Sequence, residues 1–323
     1  MPLESFPLLI LIAAVAAGLG LLYFGGDFLL KGAVQLARRL NVSEMVIGLT
    51  VVSMITSMPE LFTGLLAVLT DRPDLFMGNI VGSNLANIGL ILGLSAIISP
   101  LSVPKALMQR ELPILLGITI LFVSLSALNG GLGPWDGVVL VVFFFLYLGM
   151  RVREQENLPP ELKESIKEEV SVPGISMGKA VGLLLLGILL LNSGAWLLVE
   201  GASELAMRMG LSEKWIGLTV VAIGTSLPEL AASIVGVIKG RFQLILGNIV
   251  GSNLINILFI AGITILVRPV EVSASWFTVE FVALILFTTI LIAFCLTRDR
   301  VERWEGWVLL VLYGALIFGS KVN

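Results

Sequence analysis

Two glutamates set the chemistry of this chain. Glu60 and Glu229 each follow a proline inside an apolar run, and each closes a Thr-Ser-x-Pro-Glu sequence: Thr56-Ser57-Met58-Pro59-Glu60 and Thr225-Ser226-Leu227-Pro228-Glu229. An unpaired charge in hydrocarbon costs roughly 2.5 to 3.5 kcal/mol on insertion scales, so two such positions need a common reason. Proline lacks an amide hydrogen and clashes with the carbonyl four residues back, which opens the helix at Ile55 and at Gly224. In lipid the freed carbonyls must find a partner, and a bound cation beside a carboxylate and two hydroxyls supplies one. A proline kink capped by Thr and Ser would account for one copy. It does not account for a glutamate placed after the proline twice.

A second motif, Gly-Asn-Ile-Val-Gly-Ser-Asn-Leu-x-Asn-Ile, also occurs twice, spacing Asn79, Ser83 and Asn87 by four residues and repeating the pattern at Asn248, Ser252 and Asn256. That spacing puts all three on one stripe of a helix. Such a stripe facing Glu60 or Glu229 supplies neutral oxygen ligands without added charge. Small polar residues also bridge membrane helices by hydrogen bonding, and Asn79, Asn84, Asn248 and Asn253 fit packing or capping better than ion binding.

Two carboxylates among hydroxyl, amide and carbonyl oxygens make a hard site suited to Ca²⁺ and also to Na⁺. One divalent ion or monovalent ions neutralise the pair, whereas an empty site would hold two unpaired charges in low dielectric. Reorientation while empty is therefore slow, which couples the movement of one ion to the return of another and favours an antiporter over a cation channel. Protonation would neutralise the pair as well, so a cation/proton antiporter stays open as the alternative. The chain has no histidine and one cysteine, Cys295, which leaves no internal disulfide and no Cys/His metal spacing. An intramembrane protease would need a Ser-His pair or two aspartates, and an enzyme reading has no residues to carry it. No cofactor is expected; the partners are Ca²⁺, Na⁺ and membrane lipid, with no nucleic acid, and the protein is expected to act as a monomer.

The elements that must position these residues are membrane helices. Hydrophobic residues make up 57% of the chain and charged residues 13%, and the mean hydropathy is +1.02. The first apolar run, about Leu8 to Leu30, follows an N-terminus without Lys or Arg and without a small-residue cleavage site, which predicts a retained first span. Further runs centre on 45–69, 74–98, 108–128, 134–150, 180–206, 215–238, 243–266, 276–296 and 306–320, each able to cross about 30 Å of hydrocarbon. That makes ten spans. Assigned to alternate sides, fifteen of the 20 Lys and Arg fall together and five opposite, so the positive-inside rule predicts a multi-pass protein of the cell membrane with both termini external.

The chain is also duplicated. Between Gly48–Ile91 and Gly217–Ile260, 24 of 44 positions are identical without a gap. The same offset pairs Ser43-Glu44 with Ser212-Glu213, Pro100 with Pro269, Glu111 with Glu280 and Trp135-Asp136-Gly137 with Trp304-Glu305-Gly306. Five spans is an odd number, so the second half must enter the membrane the other way round. The predicted fold class is an all-α membrane protein of ten transmembrane helices in two inverted-topology five-helix repeats, 1–150 and 177–323. The segment 151–176 is expected to be a cytoplasmic linker with a short helix over 161–169. Spans two, three, seven and eight should form the core, with the first and sixth outside it.

At these residues the chain resembles the Na⁺/Ca²⁺ exchangers of the cation/calcium antiporter superfamily, in their compact prokaryotic form. The resemblance rests on the two Thr-Ser-x-Pro-Glu and two Gly-Asn-x-x-Gly-Ser-Asn motifs and covers nearly the whole chain. It implies Na⁺/Ca²⁺ antiport by alternating access. It also implies that Glu60 and Glu229 are the central Ca²⁺ ligands, with Thr56, Ser57, Thr225, Ser226, Ser83, Ser252, Asn87 and Asn256 completing the ion sites and the Ser53 and Ala222 carbonyls a further Na⁺ position. The proton-coupled branch usually has Asn-Ala where this chain has Thr-Ser, which favours sodium. Two departures stand out: Ile55 stands where the family has the glycine that precedes Thr-Ser, a glycine the second half keeps as Gly224, and Asn87 and Asn256 are both amides where some members, notably K⁺-dependent exchangers, place an aspartate at one of the two. The remaining membrane charges, Asp27, Lys31, Glu200, Glu204, Glu111 and Glu280, sit towards span ends and are expected to be solvated or paired.

Overall fold

A computed structural model describes residues 7–128, 130–156, 175–210 and 222–319. Its long helices are α1 (Leu8–Leu40), α2 (Glu44–Thr56), α3 (Met58–Leu69), α4 (Pro73–Ile98), α5 (Leu107–Leu128), α6 (Pro134–Glu156), α7 (Met177–Arg208), α8 (Leu227–Ile238), α9 (Phe242–Val267), α10 (Glu280–Arg298) and α11 (Arg303–Gly319). Among the described residues seven helices are long and apolar enough to cross a membrane, and α2 with α3 makes an eighth span bent by 44°. α8 has 12 residues and α11 has 17, short of the roughly 20 a span needs. The residues before Ala222 that would lengthen the α8 span, the short helix expected over 161–169 and the Ser212-Glu213 pair lie outside the described residues.

The local reasons for these elements are legible. Ser43 caps α2 by accepting from the Val46 N–H at 3.4 Å. Pro59, Pro73 and Pro228 each sit in the first turn of a helix, where the missing N–H costs nothing. α1 ends at Asn41 in the left-handed region (φ 53°), which asparagine tolerates. The elements recur 169 residues apart: α3 begins at Met58 and α8 at Leu227, and π-helical turns begin at Asn87 in α4 and at Asn256 in α9. A π turn inside an α-helix often marks a functional position, since it re-aims the side chains around it.

Four short strands tie the halves together. β1 (Leu101–Ser102) pairs antiparallel with β4 (Arg300–Val301), and β2 (Gly131–Leu132) with β3 (Val270–Glu271). Each ribbon takes one strand from each half.

α4 and α9 form the centre. Of their most apolar stretches 78% and 83% is buried, against 22% for α1 and 28% for α7. The edge-to-face pair Phe122 and Phe281, 6.1 Å apart, helps close this core from α5 and α10. α1 and α7 pack on one another at the periphery through glycines: a Cβ on Gly25 would lie 2.7 Å from the Leu191 nitrogen, and one on Gly194 would lie 2.8 Å from the Gly18 oxygen. Small residues of this kind let membrane helices meet backbone to backbone. Most charges near span ends are paired as expected. Asp27 pairs with Lys31 at 2.8 Å and with Lys239, Glu204 with Arg208 at 2.7 Å, and buried Glu111 with Arg151 and with the Tyr147 hydroxyl at 2.8 Å. Glu200 is exposed.

Candidate cation site

Pro59 ends the α2 helix and restarts the chain as α3, with Ser57 in the turn between them (φ −84°, ψ 8°). Ser226 occupies the same turn before α8 (φ −91°, ψ 5°), after a single helical turn over Ala222–Gly224. Each break sets its glutamate in the first turn of the restarted helix, where the N-terminal dipole favours negative charge. Glu60 is 1% exposed and Glu229 2%.

The first break lies against α9 because Gly247 and Gly251, in the second copy of the second motif, allow it. A Cβ on Gly251 would lie 2.5 Å from the Leu49 oxygen and 2.7 Å from Ser53 Oγ, so α9 lies directly on the backbone of α2. That contact carries Asn248 and Ser252 to the first half's break. Thr56 Oγ1 donates to Asn248 Oδ1 at 3.4 Å, and Ser57 Oγ donates to Glu229 Oε1 at 3.3 Å. Thr56 also faces the Glu229 carboxylate, Ser83 faces that of Glu60, and the two carboxylates act on one another electrostatically. Asn87 Nδ2 donates across the halves to Asn253 Oδ1 at 3.1 Å.

Among the expected ligands, Glu60, Glu229, Ser57, Thr56, Ser83, Ser226, Ser252, Asn87, Asn256 and Ser53 are buried. Thr225 is half-buried in the turn before α8, and Ala222 begins the helical turn that precedes it. The Ser53 carbonyl is not free of hydrogen bonds: it accepts from the Ser57 N–H at 3.0 Å and from Thr56 Oγ1 at 3.5 Å. In the second half the Ser226 N–H turns instead to the Ile223 oxygen at 3.1 Å. The two breaks are therefore related in sequence but not identical in hydrogen bonding.

The second motif's other asparagines hold the site's frame. Asn79 Nδ2 donates to the Glu60 backbone oxygen at 2.8 Å, capping the turn that carries the carboxylate. Asn248 and Asn253 act across the halves, a role that the packing reading pointed to without saying which residue each would meet. Nine of the fourteen buried polar atoms with no hydrogen-bond partner among the described residues belong to the two motifs: Glu60 Oε2, Glu229 Oε2, Ser252 Oγ, both amide atoms of Asn84 and of Asn256, and the Nδ2 atoms of Asn248 and Asn253. Buried polar groups are normally satisfied, and two carboxylate oxygens in this state fit a cation. Among the described residues no three His, Cys, Asp or Glu side chains gather at one point, so no third carboxylate joins Glu60 and Glu229.

Sequence and fold comparisons point the same way. The family model for sodium/calcium exchanger protein matches residues 10–153 and 179–322. The chain belongs to the sodium/calcium exchanger family. It is 31% identical to the sodium/calcium exchanger MaX1 of Methanosarcina acetivorans, over 93% of this chain and 95% of that one. It is 37% identical to the putative antiporter CaxA of Alkalimonas amylolytica, over 95% and 98% respectively. The solved structure of the sodium-calcium exchanger NCX_Mj soaked with Na⁺ and Sr²⁺ superposes with a TM-score of 0.82 at 33% identity, covering 96% of this chain and 98% of that chain.

Within this exchanger fold, the Ile55 departure can be placed. Ile55 is half-buried and packs against the peripheral cluster that α1 and α7 build with residues of α2, α8 and α9, among them Leu29, Leu191, Val52 and Ala232. At the matching position a Cβ on Gly224 would lie 2.8 Å from Val199 Cγ2 of α7. The first half thus fills with a side chain a space that the second half leaves to its neighbour.

Proposed function

We propose that the protein exchanges Na⁺ for Ca²⁺ across a membrane by alternating access, with the ions held between Glu60 and Glu229. The observation that carries this reading is the convergence, on two fully buried carboxylates, of hydroxyls and amides from both halves of the chain. Two negative charges in low dielectric need compensation in every state that reorients, and one Ca²⁺ or Na⁺ ions at neutral oxygens supply it. A site that must be loaded to reorient couples the two fluxes.

Thr56, Ser57, Thr225, Ser226, Ser83, Ser252, Asn87 and Asn256 complete the ligand set in this reading. Ser53 contributes its carbonyl by exchanging the long 3.5 Å bond from Thr56 Oγ1 for the ion, and Ala222 contributes its own carbonyl. Both Asn87 and Asn256 are neutral, so the site has no third carboxylate, and the exchange runs without K⁺.

The architecture proposed with it is ten spans in two inverted five-helix repeats, 1–150 and 177–323, in the cell membrane, with the termini external and 151–176 cytoplasmic. Supporting it, each β ribbon joins segments that alternate-side assignment places together, and so do the Asp71–Arg268 pair at 2.7 Å and the Glu44–Arg241 pair at 2.7 Å.

Proteoliposomes loaded with Na⁺ and diluted into Na⁺-free buffer containing Ca²⁺ test the function. Ca²⁺ should accumulate, and an imposed pH gradient alone should drive little. Uptake that follows the proton gradient and ignores Na⁺ would replace sodium with the proton as the driving ion.

A further inference from the structure

The ends of α1 and α8 enclose a groove that the ion-exchange reading does not use. A cavity of about 250 Å³ is lined by Leu30, Lys31, Val34, Gln35, Arg38, Lys239 and Arg241. An adjoining cavity of about 440 Å³ shares Val34, Arg38 and Arg241 with it. Lys31, Val34 and Arg38 stand on one stripe of α1, three and four residues apart in turn. Lys239 caps the C-terminus of α8 and Arg241 the N-terminus of α9, with Gly240 at φ 69° making the turn that brings both against α1.

The charges in this groove do not balance. Lys31 and Lys239 share the single carboxylate of Asp27, Arg241 pairs with Glu44 at 2.7 Å, and Arg38 has no ion pair among the described residues. Among the described residues, four cations against Asp27 and Glu44 leave the groove two positive charges in excess. A solvated basic face would spread such charges apart, because like charges held together repel. Here two chain segments converge to hold them around one concavity floored by Leu30 and Val34. The apolar run of α1 ends at Leu30 and α8 ends at Ile238, so the groove lies where helix passes from hydrocarbon to polar surroundings.

We propose that this groove binds the phosphate headgroup of an anionic membrane lipid, with Arg38 and Lys31 on the phosphate and the acyl chain running back into the membrane along Phe28 and exposed Phe24 of α1. Basic pockets between membrane helices at the interface suit such headgroups, and a guanidinium fits a phosphate bidentately. The proposal rests on the membrane-spanning reading and is independent of which ions are exchanged.

The test uses the purified full chain in phosphatidylcholine nanodiscs, titrated with fluorescently labelled phosphatidylglycerol. The double variant Lys31→Gln/Arg38→Gln should weaken binding by about thirtyfold, the factor that roughly 1 kcal/mol per basic side chain gives. Arg38→Lys, which keeps the charge, should retain most of the affinity. Asp27 keeps Lys239 as its partner in the double variant, so its unfolding midpoint and its Ca²⁺ uptake in phosphatidylcholine vesicles should match the parent's. Equal lipid affinity in parent and double variant overturns the proposal. So does charge-dependent binding of inorganic phosphate with no binding of the labelled lipid, which would make the groove a site for a soluble anion.

Discussion

The hydroxyl of Ser57 lies 3.3 Å from Oε1 of Glu229, a residue 172 positions further along the chain. The first half of the molecule thus completes the second half's carboxylate. Thr56 repeats the relationship by facing Glu229 while bonding Asn248 of the second half. In the proposed alternating-access cycle a movement that separated the halves would take the site apart, so that reading requires the change to occur around it. α1 and α7 meet that requirement, since they lie at the periphery and pack mainly on each other.

Removing either central charge should abolish exchange without unfolding the protein. In Glu60→Gln or Glu229→Gln a fully buried acid becomes an amide of the same shape, and neutralising an unpaired buried charge does not destabilise. Ca²⁺ uptake into proteoliposomes should fall to background while the unfolding midpoint holds or rises. Near-normal uptake by either folded variant would refute the two-glutamate site.

Ser57→Ala should weaken Ca²⁺ more than it weakens folding. A hydrogen bond to a charged group contributes about 1.5 to 3 kcal/mol, which corresponds to a rise in the half-saturating Ca²⁺ concentration of at least about tenfold. Ser57→Thr keeps the hydroxyl and should recover most of the loss. An unchanged Ca²⁺ dependence in Ser57→Ala would remove this hydroxyl from the site.

Ile55→Gly should raise the exchange rate or the apparent affinity while leaving the driving ion unchanged. The side chain packs the first break against the peripheral cluster that includes α1 and α7 residues, and shortening it loosens that seam. The converse change, Gly224→Ile, must push into Val199, where even a Cβ would lie at 2.8 Å, and should slow exchange severely. Initial rates of Na⁺-driven Ca²⁺ uptake measure both.

Asp27→Asn should bias the conformational equilibrium. Asp27 of α1 binds Lys239 at the end of α8, the helix that begins with the Glu229 turn, and the matching position in α7 is Trp196, which offers no acid. The ion pair therefore restrains one side of the molecule only. Breaking it should shift the accessibility of a cysteine placed beside Glu229 towards reagents on the Lys239 side, and an unchanged labelling pattern would count against the restraint.

K⁺ should be dispensable. Asn87 and Asn256 are both amides, and Asn87 is already engaged by Asn253 at 3.1 Å. Replacing external K⁺ with choline should leave Na⁺-driven Ca²⁺ uptake unaltered, whereas a strict K⁺ requirement would show that the neutral amides suffice for a third ion.

Much of the molecule was legible before any coordinates. The glutamates, the prolines that break the helices and the four-residue polar stripe are local patterns, and local patterns survive in sequence because they follow from backbone geometry and from the cost of charge in lipid. The duplication was legible for the same reason, and the breaks at Ser57 and Ser226 fall where the prolines place them. Span ends were less so: the first apolar run stops near Leu30, yet α1 continues to Leu40, because the amphipathic turn after it packs Val34 and Ala37 into the core cluster.

What the sequence determined by itself is therefore the set of groups that meet an ion and the kind of surroundings that hold them. Only the tertiary structure decided which half serves which carboxylate. Ser57 turns to Glu229, Asn87 to Asn253 and Thr56 to Asn248, and the Ser53 carbonyl is taken up by hydrogen bonds while the Ser226 N–H turns to Ile223. These are contacts between residues far apart in the chain, set by how closely glycine lets α9 approach α2 and by what side chain fills each seam, and a repeat that reads alike twice cannot say where its two copies will differ once each packs against different neighbours.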